Sequence, residues 1–235
     1  MRVLLFGQVL PEFIELVRRH DLTIVENDPE VVISCGGDGT LLRSEQRFPG
    51  IPKLPIKRSD TCVFCDAHRP EVLLAKLSRG QLRGERLMKL EATVGERSVT
   101  ALNEIGVLHK LPYQALRFRW SCNEQKFGET IIGDGVIIAT PFGSSGYFAS
   151  IGGKEFAEGS GVAFSNPTIG QPPQHLSQDS VVTIEVVRGP GVLTNDNNQN
   201  MTSLSEKDTV VVKRSDQTAT LLADSLHCRQ CQKTR

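Results

Sequence analysis

The feature that most constrains this chain is a change in its apolar patterning near Met88. Before it, short β-branched or leucine-rich runs alternate with segments of helical period; after it, short strand-like runs are separated by Gly, Asn, Asp and Ser. In the first stretch "RVLLF", "LTIVE", "EVVISC" and "KLPI" read as strands. Between the first two, "PEFIELVRRH" places proline at a first helical position, with Phe13, Ile14, Leu16 and Val17 on one stripe. "RPEVLLAKLSRG" reads as a second helix, ended by Gly80. Alternation of this kind builds βα units on a parallel sheet, whereas the later runs, from "LEATVGERSVTALNEIGVL" to "DTVVVKRS" and "TATLLA", make an all-β region with little helix. The expected fold class is α/β plus all-β. A Rossmann-like α/β domain over residues 1–88 is followed by a β-rich, β-sandwich-like domain over 89–235, whose C-terminal tail returns to the first domain.

Charge and hydropathy narrow the function classes. Lys plus Arg and Asp plus Glu number 27 each, so no global field favours nucleic acid or an anionic membrane, and a polyanion would need a local patch. No apolar run approaches the ~18 residues of a spanning helix, and the first residues meet Gly7, Pro11 and Glu12 too early for one. The expectation is a soluble, cytoplasmic protein with neither nucleic-acid nor membrane partners.

Three short motifs carry chemistry. In "VVISCGGDGTLL", a strand ending at Cys35 runs through Gly36 and Gly37 to Asp38, Gly39 and Thr40, with a helix expected from about Thr40. A strand, a glycine turn and a helix N-terminus aim backbone N–H groups at a phosphate, although the same pattern serves if Asp38 is only a helix cap. No Lys-Ser/Thr follows, so the loop is not of the Walker type. In "GDGVIIATPFGSSGY", a buried strand ends in a turn rich in hydroxyls and amides, before Tyr147, whose ring could stack on a base. In "ALNEIGV", Asn103 and Glu104 interrupt an apolar strand pattern, and such a pair requires polar partners such as the hydroxyls of a ribose.

GGDGT at 36–40, Asn103-Glu104 and "GDGVIIATPFGSSGYFASIGG" at 133–153, in that order, resemble the NAD kinases. GGDGT is shared with diacylglycerol and sphingosine kinases, whereas the TPxGSxxY segment looks like NAD kinase alone. The resemblance implies a phosphotransferase that makes NADP from NAD with ATP or polyphosphate, depends on Mg²⁺ or another divalent cation, and forms a homo-oligomer. Residue by residue, it implies that Asp38 takes the proton of the adenosine ribose 2′-hydroxyl, with Gly36, Gly37, Gly39 and Thr40 forming the phosphate seat. Asn103 and Glu104 would hold NAD, Asp134 would sit near the nicotinamide riboside, and Ser145, Gly146 and Tyr147 would line the adenine pocket. The alternatives are a non-catalytic nucleotide-binding protein of the same fold, or a lipid or sugar kinase sharing only GGDGT.

This sequence departs from the family in two places. The family's Asn-x-Gly-x-x-Gly-Phe-like loop is replaced by "KRSDTCVFC", in which Lys57 and Arg58 could contact phosphate, and its Asp-Gly-Gln reads Asn197-Asn198-Gln199, with Asp196 one place early and no role carried onto it. The altered loop holds Cys62-x-x-Cys65, and Cys228-x-x-Cys231 lies near the end of the sequence. Four thiolates are the complement of a closed structural Zn²⁺ site, while redox-active or merely buried cysteines are the other readings.

Overall fold

The computed structural model describes residues 1–56, 69–123, 125 and 127–223. The chain divides into two compact units, Met1–Leu87 with Thr218–Arg235, and Met88–Gln217.

Unit 1 is the α/β layer. Strands β1 (Arg2–Gly7), β2 (Thr23–Ile24), β3 (Val31–Cys35) and β4 (Lys53–Ile56) lie parallel in the order β2-β1-β3-β4. Helices α1 (Pro11–Arg19), α2 (Asp38–Arg47) and α3 (Pro70–Ser78) connect or follow them. All five residues of β3 are buried, as expected for a central parallel strand covered on both faces. Val17 of α1 and Leu73, Leu74 and Leu77 of α3 close the core with Val3, Ile33 and Leu54. The last strand among the described residues adds to the free side of β4 through Leu221 opposite Lys53, and Leu222 packs on the same core.

A buried ion pair fastens α2 to the sheet. Lys53 Nζ donates to Glu45 Oε2 at 2.5 Å and to the carbonyls of Phe48 and Ile51 at 2.5 and 2.6 Å, so all three ammonium protons find acceptors. Both side chains are essentially inaccessible to solvent. Lys53→Met leaves the glutamate without its charge partner and is expected to cost about 3–5 kcal/mol in urea unfolding, with much of the loss recovered by Glu45→Met in the same chain. A cost below about 1 kcal/mol, the level of an exposed pair, would show that the pair does not hold the helix.

Unit 2 is a β-sandwich. One layer contains β7 (Glu104–His109), β10 (Gly135–Ala139), β11 (Ser160–Ser165), β12 (Gln174–Leu176), β14 (Gly191–Asn195) and β15 (Thr202–Leu204), antiparallel in the order β12-β11-β10-β7-β14-β15. In the other layer β8 (Leu116–Cys122) lies between β9 (Ile131–Gly133) and β13 (Val182–Arg188). The first part of β16 (Thr209–Ala223) pairs with β13, and β5 (Arg83–Val94) forms a hairpin with β6 (Arg97–Ala101). Phe118, Val136, Ile138, Phe164, Ile184 and Val210 meet between the layers.

Strand β10 is buried along its whole length because its alternate residues serve two cores. Val136 and Ile138 face the sandwich interior, while Ile137 and Ala139 face Phe148. Phe148 lies in α4 (Tyr147–Ser150), which follows a 3₁₀ turn at Phe142–Ser145. The motif that carries most of the sequence signal is therefore anchored by apolar packing beneath it.

Candidate functional site

The GGDGT segment belongs to unit 1. Strand β3 ends at Cys35, and the N–H of Gly36 donates to the carbonyl of Ile56 at 3.0 Å. A Cβ on Gly36 would lie 2.3 Å from Thr40 Oγ1, so only glycine lets the helix start this close to the strand end. The helix begins earlier than the sequence suggests. Its N-cap is Gly37, whose carbonyl accepts from Thr40 and Leu41 at 2.9 and 3.2 Å, and Asp38 is already in the first turn. The capping reading of Asp38 is thereby corrected: the backbone of Gly37 occupies that place, with no side-chain cap, and the half-buried carboxylate lies one residue further along. An acid in the first turn is favoured by the positive end of the helix dipole, which favours a phosphate there too.

Asn103 and Glu104 belong to unit 2, and they do not interrupt a strand. Strand β6 ends at Ala101 and β7 begins at Glu104, so Leu102 and Asn103 form the corner by which the chain passes from one layer of the sandwich to the other. Every backbone polar group of this corner is satisfied within the protein. The N–H groups of Leu102, Asn103 and Glu104 donate to the carboxylate of Asp196 at 2.9, 2.7 and 3.2 Å. The carbonyl of Leu102 accepts from Thr140 Oγ1 at 2.6 Å, that of Asn103 from the N–H of Thr140 at 2.8 Å, and that of Glu104 from the N–H of Asp196 at 2.9 Å.

Two side-chain atoms of the same corner have the opposite status. Asn103 Oδ1 and Glu104 Oε2 are buried and have no hydrogen-bond partner among the described residues. Burial lifts the Glu104 carboxyl to about 7, and the nearby charge of Asp196 adds to the rise. Burial also raises Asp196, opposed by its three amide donors and by the charge of Lys89. A buried acceptor left unpaired costs on the order of 1–3 kcal/mol, and such atoms in a native protein call for an explanation.

The "TPFGSSGY" turn wraps this corner. Thr140 Oγ1 accepts from the N–H of Gly143 at 3.0 Å, and a Cβ on Gly143 would lie 2.2 Å from the carbonyl oxygen of Asn103. A Cβ on Gly146 would be 3.8 Å from Glu104 Oε2 and 3.9 Å from Asn103 Nδ2, so Gly146 borders the unpaired groups and is itself exposed. Ser145 is half-exposed in the 3₁₀ turn, whereas its neighbour Ser144 is structural, donating to the carbonyl of Pro141 at 2.7 Å.

Tyr147 is 39% exposed, and its hydroxyl lies 3.4 Å from Ser165 Oγ. Asp134 Oδ2 accepts from Asn166 Nδ2 at 2.6 Å. Residues 165 and 166, at the end of β11, thus touch two of the residues singled out from sequence.

Unit 2 therefore gathers Asn103, Glu104, Gly146 and Thr140 at one corner, with Asp134 and Tyr147 both linked to the end of β11; Asp38 and its glycines belong to unit 1. Cys62, Cys65, Cys228 and Cys231 lie outside the described residues, as do Lys57 and Arg58. Sequence reasoning passed over Asp196, Thr140 and Asn166. The available signal for Asp196 was an acid inside an Asn-rich turn, where a left-handed backbone is common, and its φ is +50°.

No family model matches the chain. In fold it is of the class of the NAD and NADH kinases. It superposes on a crystal structure of an NAD kinase from Archaeoglobus fulgidus in complex with ATP with a TM-score of 0.84 at 22% identity, covering 98% of this chain and 96% of that one. It superposes on yeast NADH kinase complexed with NADH with a TM-score of 0.84 at 15% identity, over 97% and 84%. In sequence it is 29% identical to an NAD kinase of Thermoplasma acidophilum over 92% of this chain and 85% of that protein. With NAD kinases of Saccharolobus islandicus and Pyrococcus abyssi it shares 31% and 32% identity over 53% and 58% of its own length. The chain spans about half the length of these two relatives, 49% and 51%. In sequence and in fold, then, the chain is similar to NAD kinases.

Proposed function

We propose that this protein phosphorylates the 2′-hydroxyl of the adenosine ribose of NAD, giving NADP, with ATP or polyphosphate as donor. The observation that carries the reading is the pair of buried, unpaired acceptors, Asn103 Oδ1 and Glu104 Oε2, on a corner whose backbone needs nothing more. Two acceptors side by side suit the two donors of a vicinal diol, and a ribose supplies that diol. Gly146 keeps their approach open, and Tyr147 offers a ring for a base.

In this reading Asp38 accepts the proton of the 2′-hydroxyl while the oxygen attacks the terminal phosphorus, and the bond from that phosphorus to the rest of the donor breaks. The first turn of α2 favours the phosphate charge through its dipole. A single carboxylate beside a phosphate site fits Mg²⁺, which binds through one or two carboxylates, phosphate oxygens and water, and which when bound neutralises the transferred group. Incubation with NAD, Mg²⁺ and each donor is expected to yield NADP with at least one of them. Absence of NADP with every donor, in folded protein, would overturn the proposal.

Zn²⁺ is proposed on cysteine spacing alone. Protein purified without chelator is expected to contain about one zinc per chain, and none detected would remove the metal from the account. A cytoplasmic location and a homo-oligomeric state belong to the same proposal. Sedimentation of the purified protein checks the second.

A further inference from the structure

We infer that Asp196 is the positioning residue of the Asn103–Glu104 pair, and that Lys89 is its counter-charge. This deepens the proposed function and rests on it for its consequence in substrate binding. The structural part stands on its own geometry.

The two oxygens of Asp196 collect three consecutive N–H groups, from residues 92 to 94 positions away in the chain. The preceding residue works on the same segment: Asn195 Nδ2 donates to the carbonyl of Thr100 at 2.9 Å, and Asn195 lies opposite Ile105 in the β14–β7 ladder. The end of β14 is thus a splint along residues 100–105. Three donors on two oxygens require an acceptor-only group, which the ionised carboxylate is and an amide is not. An asparagine at 196 would present an N–H₂ group to one of the three amides. Because Asn103 and Glu104 leave the backbone inside this clamp, loosening it redirects both side chains.

A carboxylate enclosed to this degree needs a compensating charge. Lys89 is 3% exposed, and Leu90 next to it lies opposite Ala101 in the β5–β6 ladder. Carrying that register one residue further sets Lys89 across from Leu102, the first residue that Asp196 holds. Its ammonium favours the ionised form of Asp196. Lys89 has no place in the proposed chemistry.

The test uses Asp196→Asn, Lys89→Met and the double variant of the full chain, with two readouts. The first is hydrogen exchange of the Leu102, Asn103 and Glu104 amides without ligand. The second is KM for NAD alongside kcat. In Asp196→Asn the three amides are expected to exchange about tenfold faster or more relative to those of Ile105 and Val107, and KM for NAD to rise about tenfold or more while kcat falls less. Lys89→Met should act in the same direction more weakly, and the double variant should be no worse than Asp196→Asn alone, as for residues acting on one another. Unchanged exchange at the three amides would overturn the inference, as would KM within about twofold of the parent or effects of the two substitutions that multiply. If the parent protein makes no NADP, the proposed function fails while the exchange readout still decides the clamp. If Asp196→Asn does not fold, Lys89→Met decides by the same exchange criterion.

Discussion

Asp38→Asn is expected to leave the affinity for NAD within about twofold and to lower NADP formation by roughly 10²–10⁴-fold, the range associated with loss of a positioned general base. The substitution preserves shape and keeps a polar group in the first turn of α2. It gives up a carboxylate at the positive end of the helix dipole, for which the stability cost is about 0.3–1 kcal/mol. The helix is secured from its other end by the buried Lys53–Glu45 pair, so the turn should survive the change. Binding measured by calorimetry and NADP measured enzymatically on the same preparation separate the two effects. Full activity of the variant would end the reading of Asp38 as the base.

Glu104→Gln is the second large effect, and its sign reverses between function and stability. In the proposed function an ionised Glu104 accepts from ribose hydroxyls, and a hydrogen bond to a charged group contributes about 1.5–3 kcal/mol, so the variant should bind NAD roughly 10–100-fold more weakly at pH 8. The carboxyl is held at about 7, chiefly by burial. The affinity of the parent should therefore strengthen as pH rises through that value, and that of the variant should be flat there. For folding, a raised carboxyl binds its proton more tightly in the native state than in the unfolded one. The associated stability is complete below 4.5 and is lost as pH rises through about 7. The rise corresponds to roughly 3 kcal/mol at most, so Glu104→Gln should be more stable than the parent at pH 8 and gain nothing at pH 4. Urea titrations at the two pH values check this, and equal stability differences at both would show that Glu104 titrates as an ordinary surface acid.

The α/β plus all-β class was legible because apolar runs such as β3 alternate with helix-period segments such as α1, which carries Val17 on a regular stripe, before Met88, whereas after it short strand-like runs such as β10 follow one another. The three motifs stood out for a different reason, since glycine, hydroxyl and carboxylate residues cluster in them against the apolar pattern on either side. What sequence did not disclose depends on partners far apart in the chain. Asn103 and Glu104 looked like a flaw in a strand because periodicity cannot show that β6 and β7 enter different layers. Asp196 looked like part of a degraded motif because its three amide partners are more than ninety residues away. Lys53 read as an ordinary strand residue, and only the packing of Glu45 and two carbonyls beside it explains a buried ammonium. The start of α2 was misplaced because a glycine supplied the cap expected of an acid.

The route of β16 bears on how the chain matures. Unit 1 is assembled from the first 87 residues and a segment that begins only at Thr218, and Leu222 completes its core. During synthesis the α/β layer therefore emerges first and finishes last, waiting with β4 as an open parallel edge until the whole sandwich has been translated. A nascent chain of this design depends on whatever shields that edge in the interval. Ribosomal stalling within the sandwich would release a product in which β4 has no partner from β16.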